Sequence, residues 1–150
     1  MTGARALLAA ALLIGCAPAP PPVETTTANA SDEPWYLPAV DQLAALNRDA
    51  ERAFQAGKFD EASALILKGE PLANRLVAVP RPTLAAVEAA SDLDQLYGRM
   101  LLMNHNYGWA RLEFQKNRAR WKTWQPQTPD TRRLKLAEDG IAECDKNMEQ

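Results

Sequence analysis

From position 40 onward the apolar residues return every three or four positions. Val40, Leu43, Leu46, Ala50, Ala53 and Phe54 form one stripe, the spacing of a single face of an α-helix. Gly57 is suited to end that helix, because the position just past a helix often needs positive φ. Asp60 is the expected cap of a second helix carrying Ala62, Leu65 and Ile66, which Gly69 and Pro71 are expected to stop. Pro80-Arg81-Pro82 marks another break, with Thr83 as the next cap. Ala86, Ala90, Leu93, Tyr97, Met100 and Leu101 then predict a long helix reaching about Asn104. After an Asn104-His105-Asn106 turn, Tyr107, Ala110, Phe114 and Trp121 share one face of a further helix. Pro126 and Pro129 interrupt again, with Thr128 as cap and Pro129 at the favoured first helical position. Leu134, Ala137, Ile141, Cys144 and Met148 mark the last helix. No stretch alternates with the period of two that a half-buried strand requires. The predicted fold class is all-α, built from antiparallel helical hairpins, about five helices in all, the last acting as a cap.

The first 30 residues follow a different pattern. Ala6 to Ile14 is apolar and follows Arg5, but it is far shorter than the ~20 residues that span a bilayer core. It closes on Leu13-Ile14-Gly15-Cys16, and Pro18, Pro20, Pro21 and Pro22 then forbid a continuing helix. This arrangement resembles the lipobox of bacterial lipoproteins. The resemblance implies that residues 1–15 are a signal peptide and that Cys16 carries the lipid and becomes the first residue after cleavage. Ala17, rather than an aspartate, follows the cysteine, which resembles the pattern sent onward to the outer membrane. The implied location is the periplasmic face of that membrane. Residues 16–33, rich in Pro, Ala and Thr, cannot bury enough surface to fold and are expected to form a tether. The expected helical domain is 34–150, with Trp35 and Tyr36 its first docking residues. With Cys16 lipidated, Cys144 has no partner for a disulfide within the chain, and it is expected to pack in a helix face.

Charge alters the picture further. The formal net charge is only −2, yet Arg99 to Lys135 holds nine bases against two acids, Glu113 and Asp130. The stretch from Glu24 to Asp94 is acidic, as is the tail from 138 on. Such asymmetry points either to an anionic partner on the basic third or to solvated helix faces.

Two segments are alike. Gly57-Lys58-Phe59-Asp60-Glu61-Ala62 and His105-Asn106-Tyr107-Gly108-Trp109-Ala110 each combine a tight turn, an aromatic and an alanine three residues later. They resemble the turn between the paired helices of tetratricopeptide repeats, and Gly98 matches the small position of that family's first helix. The resemblance covers about Asp41–Trp121 and implies a tetratricopeptide-like array. The chain departs from the family in two respects. Leu46 and Asp94 stand where the family has tryptophan. Ala62 and Ala110 are also farther apart than the ~34-residue repeat, the excess being expected in Pro71–Pro82 with a short helix at Leu72–Val77.

A second stripe on the Tyr107–Trp124 helix, Trp109, Leu112, Lys116, Arg120 and Trp124, leaves two readings. Neighbouring helices cover it, or it is a contact surface. Trp and Arg are the usual anchors of interfaces, so Trp109, Arg111, Arg118, Arg120 and Trp124 are the candidate partner contacts. The expected partners are a membrane through the lipid on Cys16 and another envelope protein. The alternative is an anionic envelope polymer, peptidoglycan or lipopolysaccharide, on the basic segment. Nucleic acid is disfavoured by compartment. No nucleophile motif, glycine-rich phosphate loop or zinc spacing occurs, His105 is expected to serve a helix end, and neither an enzyme nor a cofactor is expected. A hydrolase would need two carboxylates facing each other across a cleft, about 5–10 Å apart.

Overall fold

A computed structural model of the chain describes residues 29–125 and 131–149. Among these residues a 3-10 turn at Ala30–Asp32 is followed by five α-helices: α1 (Tyr36–Gln55), α2 (Phe59–Val77), α3 (Leu84–Met103), α4 (Tyr107–Thr123) and α5 (Arg132–Met148). No strand occurs among the described residues, and the protein is an all-α helical array. Each helix packs on the next in the chain, while α1 also touches α3 and α3 also touches α5.

The helix directions follow from bonds between their ends. Tyr36, at the start of α1 and fully buried, donates its hydroxyl to the Leu76 carbonyl (3.3 Å) at the end of α2. The same hydroxyl accepts from the Thr83 N–H (3.0 Å) at the start of α3. Glu51 and Arg99 meet near the far ends of α1 and α3, so α1 and α3 run parallel with α2 antiparallel between them. Arg111–Asp145 and Lys122–Glu138 tie opposite ends of α4 and α5. Each chain-adjacent pair is therefore an antiparallel hairpin.

The two hairpin turns share one hydrogen-bond pattern. Past α1, Gly57 N–H bonds to Phe54 O and Lys58 N–H to Ala53 O, with Gly57 at φ +72. Past α3, His105 N–H bonds to Leu102 O and Asn106 N–H to Leu101 O, with His105 at φ +59. Both are Schellman caps, which satisfy carbonyls that a helix end leaves without partners. In both, an alanine three residues into the next helix, Ala62 or Ala110, is fully buried.

The second helix departs from expectation. Gly69 and Pro71 do not stop it, and there is no separate helix at Leu72–Val77; α2 is continuous. Pro71 lies on the solvent face, where water can serve the carbonyl its missing N–H leaves free. Meanwhile Gly69, Ala73 and Leu76 continue the buried stripe. At Gly69 a Cβ would stand 3.1 Å from Leu93 and 3.3 Å from Leu43, so the glycine lets α2 settle between α1 and α3. Asp60 does not cap this helix either. Lys58 holds the cap position without a side-chain bond, and Asp60 and Glu61 sit in the first turn, where acids favour the helix dipole. Thr83 is a cap as expected, its Oγ1 accepting from Ala86 N–H. The expected cap at Thr128 and Pro129 lies outside the described residues.

The array is held at its second half by one ring. Phe114 on α4 is buried with one edge against Gly98 of α3 and the other against Gly140 of α5. A Cβ would come within 2.6 Å of the ring at Gly98 and 2.7 Å at Gly140. Both glycines sit inside helices, where Gly costs about 1 kcal/mol relative to Ala. Their presence is explained by the ring. Gly140→Ala should therefore lose about 1–2 kcal/mol of stability, overpacking outweighing the gain in helix propensity. Phe114→Leu added to it should recover part of that loss. Urea unfolding of the single and double variants measures both effects. At the second turn, His105→Gly should raise stability by up to about 1 kcal/mol by relieving positive φ, and His105→Val should lower it by a similar amount.

Candidate functional site

The sequence-predicted contacts do not share one surface. Trp109 in the first turn of α4 is 68% exposed and Leu112, one turn on, 52%. With Met148 of α5, 47% exposed, they line a shallow depression that also includes Gly108, Arg111 and Asp145. Arg111 Nε donates to Asp145 Oδ1 at 2.5 Å; that hydrogen bond, and then the charge of Asp145, hold the guanidinium in its charged form. Met148 leaves the buried stripe of α5, whereas Ala137, Ile141 and Cys144 stay in it. Burial, followed by the neighbouring Glu143 and Asp145 charges, pushes the Cys144 thiol up from its ordinary value, with Arg111 opposing. Its thiolate is disfavoured, which leaves it a packing residue.

Arg120 faces elsewhere. Its side chain is only 14% exposed, and Nη1 lies 2.7 Å from Oδ2 of Asp94 on α3, a charge contact rather than an aligned hydrogen bond. Lys116 Nζ donates to Asp94 Oδ1 (2.8 Å) and Glu113 Oε2 (3.2 Å). Burial alone would pull the Lys116 ammonium down, but the Asp94 charge and hydrogen bond raise it. Glu113 is pushed up by burial, against the pull of Lys116. Beside this cluster the Trp121 indole donates to Ser91 Oγ (2.7 Å), Ser91 Oγ donates to Asn117 Oδ1 (2.6 Å), and Asn117 Nδ2 donates to the Ser91 carbonyl (3.1 Å). This part of the α3–α4 interface is thus a polar seam, beside the apolar contact of Phe114 with Gly98. Trp124, at the C-terminal cap of α4, is half-buried, as is Arg118.

The basic third is not a bare cationic face. Arg99 pairs with Glu51, Arg111 with Asp145, Lys116 and Arg120 with Asp94, Lys122 with Glu138, Arg133 with Glu88 and Asp92, and Lys135 with Asp139. The acids come mainly from α1, α3 and α5. The opposite charges of the two halves of the sequence meet across helix interfaces.

Sequence reasoning missed a groove. One stripe from each of α1, α3 and α5 lines an open hollow of about 550 Å³, with Asn47, Arg48, Glu51 and Arg52 on α1, Asp92, Gln95, Leu96 and Arg99 on α3, and Arg132 and Leu136 on α5. A neighbouring hollow shares Asn47, Arg48 and Asp92 and extends it along α1 and α3 toward Ala85. The available signal was the polar face of the first helix, where Arg48 and Arg52 lie four apart; its pairing with α5 is a tertiary fact. Among the described residues no three His, Cys, Asp or Glu side chains converge to hold a metal, and no helix is long and apolar enough to cross a membrane. Compared with protein families, curated proteins and solved structures, the chain matches none of them.

Asp94 is nearly fully buried, and its removal leaves Arg120 without its carboxylate and Lys116 with Glu113 alone. Asp94→Ala should cost about 2–4 kcal/mol, and Lys116→Met in that background should restore part of it. Thermal unfolding of the single and double variants tests the seam.

Proposed function

We propose that the protein is an envelope lipoprotein, anchored through Cys16, whose helical domain is a protein-binding adaptor. The observation that carries the reading is the Trp109, Leu112 and Met148 surface. A tryptophan 68% exposed beside two further exposed apolar side chains is the composition of an interface centre, with the Arg111–Asp145 pair as a polar rim. Its position supports the reading too. The chain joins the domain at Ala30, beside the start of α1, whereas Trp109 and Met148 lie at the opposite end of the helices. A 20-residue helix is about 30 Å long, so this surface lies about that far from the point where the tether joins and is left clear of it. The shared Schellman turns, each with a buried alanine three residues on, support reading the two hairpins as degenerate tetratricopeptide repeats. Catalysis is not part of the proposal.

The polymer-binding alternative draws no comparable support, because the cations it needs lie against carboxylates of the same chain. A photoreactive residue at position 109 of the full chain in the producing bacterium should yield one discrete crosslinked protein, absent when the probe stands at Leu67 on α2. Cys16→Ser should move the chain from the membrane to the soluble fraction. Retention of that variant on membranes would sink the anchor, and identical crosslinks from both probe positions would sink the adaptor surface.

A further inference from the structure

We infer that the Trp109 surface is self-complementary and takes the same surface of a second copy of this chain across a twofold axis. The inference rests on the adaptor reading and deepens it, because it names the occupant of that surface.

A knob and a hole stand side by side here. Trp109 is 68% exposed, and the depression beside it is lined by Gly108, Arg111, Leu112, Asp145 and Met148. Gly108 is the informative member, because the other four glycines of the described residues each have a reason inside the chain. At Gly69, Gly98 and Gly140 a Cβ would stand 3.1, 2.6 and 2.7 Å from Leu93 or Phe114. Gly57 holds positive φ. Gly108 has neither reason: its φ is not positive, and a Cβ there would meet nothing within 4 Å. A glycine of that kind lets an outside group come close to the backbone. The indole of a second copy lies over it, with Leu112 and Met148 as apolar walls, and a thioether beside an aromatic ring is a favourable contact.

Charge is the second argument. The ionisable residues lining the depression are Arg111 and Asp145, one of each sign, so two copies meet there without net repulsion. Their own bond uses only part of each group. Arg111 Nε donates to Asp145 Oδ1, while among the described residues neither terminal nitrogen of Arg111 nor Asp145 Oδ2 has a hydrogen-bond partner. The two side chains are 37% and 42% exposed. Each copy thus offers outward both a donor and an acceptor. The terminal nitrogens of Arg111 reach Oδ2 of Asp145 on the second copy, and the reciprocal pair forms beside it. Contacts that repeat in both directions are what a twofold between identical chains requires. Three apolar side chains make a patch short of the ~800 Å² per partner of a standard interface. The pairing is therefore weak in dilute solution and gains from confinement to one membrane.

Crosslinking in the producing bacterium tests the pairing. Two differently tagged forms of the full chain are made together, with a photoreactive residue at position 112 so that Trp109 stays in place. We expect a product of twice the chain's mass that carries both tags. Gly108→Leu and Trp109→Ser should each lower its yield roughly fivefold or more. Gly108→Leu should do so without lowering the thermal unfolding midpoint, because its side chain enters open space. Arg111→Asp, or Asp145→Arg, carried by both tagged forms should lower the yield roughly threefold or more. One form with Arg111→Asp and the other with Asp145→Arg should bring it back to within about twofold of the parent. A mixed pair no better than either variant alone would overturn the twofold contact. A product joining the chain only to a different protein would overturn the second copy and leave the adaptor surface standing, whereas no product at all would remove both.

Discussion

The second half of the molecule depends on how closely three helix backbones approach one aromatic ring. Phe114 takes the place that side chains would otherwise occupy at Gly98 and Gly140, so α3, α4 and α5 stack in chain order around a single contact. Close-packed interiors tolerate little change of volume at such points. This contact brings α5 beside α3, and with it Arg133 to Glu88 and Asp92. The groove owes its third wall to the same approach. The shape of that face is thus set by two residues that have no side chain.

Much of the fold could be read from spacing. The stripes of α1, α3, α4 and α5 were visible because amphipathic helices bury one face, and the turns at Gly57 and His105 were visible because they break those stripes. The error at Gly69 and Pro71 has a physical origin. A local breaker carries no information about Leu43 and Leu93, which need a glycine there, or about the water that Pro71 faces. Tertiary packing overrode propensity.

The candidate site was less legible. A stripe on α4 joined Trp109 to Arg120, yet the structure divides them: Trp109 looks outward near α5, while Arg120 turns toward Asp94 on α3. Helical periodicity tells which residues share a face, not which neighbour that face meets. Charge counting had the same limit. The excess of bases from Arg99 to Lys135 invited an external anion, but their partners lie elsewhere in the chain. The groove, assembled from three helices distant in sequence, had no local signature at all. What the surface shows is a small apolar depression at one end and an open hollow between alternate helices.

The polar seam between α3 and α4 divides the apolar interior. Tyr36, Leu43, Ile66, Leu76 and Leu93 belong to one cluster, Ala110, Phe114, Ile141 and Cys144 to another. Water can replace hydrogen bonds and ion pairs more readily than it can replace apolar contacts, so any opening between α3 and α4 should begin at the seam and stop at the ring of Phe114 against Gly98. The last two helices could then loosen at their Trp121 end without leaving the first three.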